Sequence, residues 1–238
     1  MCEGSDDAVM EKFTQACNFV KSIIPGFQIK FKNQSLLMKF IGALLLPFNR
    51  KFMTGYVTTL KWTVYFPSEK SIENNPENAV GTLMHEFIHL WDRKQKGMWF
   101  IVRYLSPQIW AVVPFAVLAV FGWLFPLWAD CLIFGLGMLC LAPWPSPWRT
   151  GFELRGYTIT LAYKQWTCGI LANTRGMEWI EQQFTGWHYY KMWPFPHSIA
   201  KRIDTIIKQI RADTLGIPFS YVKTFLAANE NRHDHNPS

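Results

Sequence analysis

Apolar residues recur at helical spacing from position 7 to 24, and the proline and glycine of IIPGF (23–27) end that stretch. SLLMKFIGALLLPF (35–48) is apolar but short and carries Lys39, which predicts a core or interfacial helix rather than a membrane crossing. GYVTTLKWTVYFPS (55–68) is rich in β-branched and aromatic residues and predicts one or two strands. A polar loop then leads to Asn75-Pro76-Glu77, an N-cap, a first-turn proline and an acidic residue, so a helix is predicted from there to about Lys94. An almost unbroken apolar run covers 107–145, and PWPSPW (143–148) leads out of it. FELRGYTITLAYKQW (152–166) reads as a helix, and HSIAKRIDTIIKQIRADT (197–214) as an amphipathic basic helix with Ile199, Ile203, Ile206 and Ile210 on one face. The fold class these elements imply is α+β and mainly helical.

The predicted helix after Asn75 carries GTLMHEFIHLWD (81–92). Residues four apart on a helix lie one above the other, so His85 and His89 can both aim an imidazole nitrogen at one metal ion. Glu86 lies beside them, placed to work on a water; this is the logic of the HExxH signature of zinc peptidases. Leu83, Phe87, Ile88 and Leu90 supply the apolar flanks of a buried helix. The bland alternative is a pair of core histidines.

A catalytic zinc needs a third protein ligand and an open position. The extended motifs fail, because Asp92, Lys94 and Gln95 stand where a glycine or a third histidine would be required. The ligand therefore comes from another helix, and Glu153 is favoured over Glu178, Glu181 and His188. Glu153 opens the predicted 152–166 helix, and Gly156 at i+3 lets that helix approach the motif helix closely. Asp92 shares the histidine face one turn on and reads as a hydrogen-bond partner behind a ligand, or as a solvated carboxylate. Tyr157, with His188 or Tyr189, is a candidate stabiliser of the oxyanion that develops on a scissile carbonyl. The alternative for the aromatic segment around His188 is a core or an interfacial belt.

The order TVYFP, LMHEFIHLWD, FELRGY resembles the gluzincin zinc metallopeptidases, and is similar to small bacterial and phage-type proteins with an HExxHxW helix and a later ExxAY helix. The likeness covers about 55–166 without the apolar run. It implies a zincin-like domain with its active-site helix beside a short sheet, with His85, His89 and Glu153 as Zn2+ ligands and Glu86 as general base. The implied substrate is a peptide or protein lying along 55–66. Gly156 departs from the usual alanine, and Asp92 from a common glutamine.

Composition sharpens the reading of the apolar run. Half of the 238 residues are hydrophobic and only 17% are charged, against about 25% in an average soluble domain. Residues 109–129 carry no charge and are long enough for a bilayer core of about 30 Å. A single crossing would put His89 and Glu153 on opposite sides, so two short antiparallel helices turning near Pro126–Asp130 are predicted, spanning or re-entrant. Arg93, Lys94, Lys96 and Arg103 precede the run and Arg149 and Arg155 follow it, which places both ends, and the catalytic part, on the cytoplasmic side. Membrane lipid is thus an expected partner. The net charge of +7 suits an anionic surface, and no nucleic-acid motif supports the other use of a basic chain. No signal peptide is read at the N-terminus, and five scattered cysteines without a CxxC read as free thiols in a reducing compartment. The expected organisation is 1–106 with the motif helix, an inserted hairpin at 107–145, 146–228 with the third ligand, and a flexible tail at 229–238. A second class remains open, a non-catalytic membrane-inserted scaffold or channel component that keeps a zinc fold for structure.

Overall fold

The computed structural model describes residues 6–46, 49–170, 174–187 and 191–234. Helix accounts for 72% and strand for 5%, so the protein is mainly helical with one small sheet. In chain order the elements are α1 (Asp6–Ile23), β1 (Gln28–Phe31), α2 (Leu36–Leu45), β2 (Thr58–Leu60), β3 (Thr63–Phe66), α3 (Lys70–Glu73) and α4 (Pro76–Lys96). They continue with α5 (Met98–Leu105), α6 (Val112–Phe121), α7 (Leu127–Cys140), α8 (Pro147–Cys168), α9 (Thr174–Thr185), α10 (Pro196–Arg211) and α11 (Phe219–Asp234). The chain forms two compact units, Met1–Lys94 with Gly156–Leu171 and Ala212–Ser238, and Gln95–Arg155 with Ala172–Arg211.

In the first unit the strand order is β1-β3-β2. β1 runs parallel to β3 with Gln28 opposite Thr63, and β2 forms an antiparallel hairpin with β3, with Thr59 opposite Val64. α4 starts where its cap predicts, since Asn75 Oδ1 accepts from the Asn78 amide at 3.1 Å. Its apolar side, Leu83, Phe87, Ile88 and Leu90, is fully buried together with Ala16 and Val20 of α1, Ile24 just after it and Val64 of β3. Phe19 links the layers, with its ring centroid 5.4 Å from Phe87 and 4.6 Å from Phe225. Burying a large apolar side chain is worth about 1.5–3 kcal/mol, so this cluster fixes the helix that carries the motif.

α8 begins at Pro147 rather than near 152, because Ser146 accepts the Thr150 amide at 2.9 Å and Pro147 takes the first helical position. Glu153 is therefore in the second turn rather than at the helix opening. In the second unit α9 packs against α10, and the face α10 buries is Ile199, Ile203, Ile207 and Ile210. Ile207 is buried where Ile206 was expected, and Ile206 is half-buried; both positions fit a helical period.

The apolar run folds with α6 against α7, and the turn between them lies at 122–126 rather than near Pro126–Asp130, where α7 already begins. A Cβ on Gly137 would stand 2.7 Å from two atoms of the Phe115 ring, so the pair closes on that glycine. Among the described residues no single helix is long and apolar enough to cross a membrane. Cys17, Cys131 and Cys140 are free. Cys168 is disulfide-bonded, which corrects the reading of every cysteine as a free thiol.

Candidate metal centre

α4 and α8 build the site. Gly156 makes their close approach possible: a Cβ there would fall 2.5 Å from Cε1 and Nε2 of His85. α8 is one unbroken helix, and Glu153 sits on it one turn before Gly156. His85, His89 and Glu153 each offer one donor atom, and these atoms lie within 4.8 Å of one another. The Glu153 side chain is 1% exposed and His89 6%, while His85 is half-buried. Two imidazoles and a carboxylate so placed could hold a metal ion.

The surrounding hydrogen bonds hold these groups in ligating form. Thr160 donates its hydroxyl proton to the Gly156 carbonyl at 3.1 Å, and its oxygen lies 3.3 Å from His85 Nδ1. With that proton committed, the oxygen accepts from Nδ1–H, which assigns the His85 lone pair to Nε2. The Tyr104 hydroxyl on α5 donates to Glu153 Oε1 and sets the carboxylate's orientation. Phe100 and Phe152 pack at 4.8 Å and steady α5 on the first turns of α8.

Glu86 is buried, and its Oε2 accepts from Thr59 Oγ1 at 2.6 Å. That bond places the edge strand β2 directly beside the expected general base. Lys32, at the end of β1, is 0% exposed; its Nζ donates to the Phe52 carbonyl at 2.7 Å and stands 4.0 Å from the centre of the Phe52 ring. Burial pushes its ammonium down to about 8 from the usual 10.5, with the Glu86 charge acting in the opposite sense.

The Lys32 shift has a consequence for stability. Between about pH 8 and 10.5 the unfolded chain holds the Lys32 proton and the folded chain releases it, so stability rises with pH in that window. Cys17 opposes this from pH 9.0 upward, because burial raises its thiol to about 12 and the unfolded chain gives up that proton first. The clean interval is therefore pH 8 to 9, where urea denaturation of the wild type should gain roughly 1 kcal/mol and Lys32→Met should show no such gain.

Of the residues expected from the sequence, the structure brings together His85, His89 and Glu153, with Tyr157 against His85, while Glu86, next to His85 on α4, turns its carboxylate to Thr59. The Tyr157 ring packs edge-on against His85, centroids 5.1 Å apart. Asp92 is 2% exposed, so it is not a solvated carboxylate. Glu178 is exposed on α9, and Glu178 and Glu181 do not join the group. His188 and Tyr189 lie outside the described residues. Tyr104, Thr160, Thr59 and Lys32 were not anticipated; of these, only Thr160, two turns after Glu153 on the same helical face, left a periodic signal. No protein-family model, curated protein or solved structure matches the chain.

Proposed function

We propose that this chain is a zinc metallopeptidase of the gluzincin type it resembles, hydrolysing peptide bonds at the His85, His89, Glu153 centre. The observation that carries the reading is the grouping of the three donors; the buried Glu86, next in sequence to His85, lies beside an edge strand. When bound, the metal supplies Lewis acidity to the scissile carbonyl and favours ionisation of a water at neutral pH. Glu86 takes the proton from that attacking water and delivers it to the leaving nitrogen. Thr59 aims the Glu86 carboxylate, and Thr160 and Tyr104 hold the His85 and Glu153 side chains. β2 lies at the sheet edge, so an extended peptide added along it passes over Glu86. Tyr157, against His85, is a candidate for steadying the developing oxyanion, alongside His188 or Tyr189.

The test is hydrolysis of a complex peptide mixture by the purified chain, read by mass spectrometry. New termini should appear, vanish with a chelator and return with added zinc. Cleavage that survives complete metal removal would contradict the assignment. The second reading, a structural zinc site in a non-catalytic membrane component, is favoured by the bare apolar hairpin. It predicts that Glu86→Gln changes nothing.

A further inference from the structure

We infer that the α6–α7 hairpin is a monotopic membrane anchor that enters a bilayer bearing anionic headgroups from one side without crossing it, with α5 lying along the surface. This holds whether or not the metal centre is catalytic. Four observations within the second unit carry it.

The first is how the apolar surface is distributed. Val112, Val113, Val120 and Phe121 are exposed on α6, and Leu127, Trp128, Leu132, Phe134, Leu136, Met138 and Leu139 on α7. A protein partner covers one face of a hairpin, whereas exposure along both helices and over the tip calls for a solvent that is itself apolar. The tip is the barest part, with Trp123 81% and Leu127 79% exposed, where a turn facing water would carry polar residues.

The second is length. At about 1.5 Å per residue, the 14 residues of α7 reach about 21 Å and the Gln108–Leu124 helix that contains α6 about 25 Å, both short of a hydrocarbon core of about 30 Å. The tip stops inside the bilayer, and the chain returns to the side it left.

The third is the bend. The helix Met98–Leu105 meets Gln108–Leu124 at 89°. A hairpin standing along the bilayer normal therefore lays α5 in the interface, where its exposed side carries Met98, Trp99, Leu105 and Arg103 while Phe100 points inward. Between 95 and 155 the basic residues Lys96, Arg103, Arg149 and Arg155 all flank the apolar run, and none lies within it. Of these, Lys96 and Arg103 are exposed and can meet lipid phosphates, while Arg149 and Arg155 are half-buried.

The fourth is how the tryptophans are wired. The Trp123 indole donates to the Val120 carbonyl at 3.1 Å, and the Trp144 indole to the Leu139 carbonyl at 2.7 Å. Exposed indoles that spend their N–H on their own backbone are prepared for a medium with no water to accept it. Asp130 is the one charged side chain in the run, and it sits inward, by Gly122, in a groove that also has Leu118, Cys131 and Phe134.

The test uses the full chain, purified in detergent and diluted into phosphatidylcholine vesicles with and without phosphatidylglycerol, followed by flotation through a density gradient. The wild type should float with the anionic vesicles and bind the neutral ones at least about tenfold more weakly. Trp123→Asp combined with Leu124→Asp should lower partition by about a hundredfold or more, because each charge must enter hydrocarbon. Both positions are exposed, and an unchanged far-UV circular dichroism spectrum should show that the variant folds. A membrane-impermeant maleimide sealed in the vesicle lumen should leave Cys131, a free exposed thiol just beyond the tip, unmodified. Wild type that remains in the dense fraction, including the case where it runs as a dimer that the tip variant dissociates, overturns the lipid assignment. So does a tip variant that floats like the wild type. Equal flotation on neutral vesicles overturns the part given to the basic residues. Lumenal labelling that disappears in Cys131→Ser overturns a depth short of a full crossing.

Discussion

Glu86→Gln should leave the metal in place and remove peptide hydrolysis by about three orders of magnitude, within the range a positioned proton carrier contributes. Glu86 is not one of the three grouped donors; it touches Thr59 on the sheet edge instead. The amide keeps the size of the carboxylate and can still bond Thr59, so folding and metal content are the controls. They should equal those of the wild type. The loss should fall on kcat more than on KM, because the proton moves in the transition state rather than on binding. Full activity in Glu86→Gln, with metal bound, would assign the centre to structure and favour the non-catalytic reading.

Gly156→Ala is expected to have the second large effect, and its sign is not the one helix propensity gives. In an ordinary helix interior this change stabilises by about 1 kcal/mol. Here the three nearest atoms to the new Cβ all belong to the His85 imidazole, the closest at 2.5 Å. The ring must rotate away, breaking its alignment with Thr160 Oγ1 and withdrawing Nε2 from the other donors. Metal affinity should fall at least about tenfold, while thermal unfolding in chelator should change little, because the displaced group is a side-chain end and not backbone. Isothermal titration with zinc against unfolding of the metal-free protein separates the two effects. Wild-type affinity in Gly156→Ala would mean that α4 and α8 do not meet through this glycine.

The legible part of this protein was the part governed by local rules. Asn75 caps α4 as its sequence predicts, the HEFIH spacing puts both histidines on one face, and Gly156 marks the close approach of α8. Glu153 could be preferred over Glu178 and Glu181 because a glycine followed it at i+3. The misses have physical reasons. QIKF makes β1 by pairing in parallel with TVYF, more than thirty residues away; it alternates polar and apolar, but four residues are too short a run to stand as a strand on that pattern alone. Tyr104 reaches Glu153 across 49 positions, and Lys32 is buried beneath Phe52 across 20; both depend on tertiary packing. The proline-rich exit hid the first turn of α8, since Pro147 reads equally as a breaker and as a first helical residue. In α10 the buried stripe includes Ile207 and not Ile206, because both fit an approximate helical period and the neighbouring α9 decides between them.

The most direct measurement is metal per chain by elemental analysis of gently purified protein, for the wild type, His89→Ala, Glu153→Ala and Glu178→Ala. One zinc per chain is expected in the wild type and in Glu178→Ala, with loss in His89→Ala and Glu153→Ala. No bound metal in the wild type, or metal that persists when both His89 and Glu153 are replaced, would contradict a metal centre at this site.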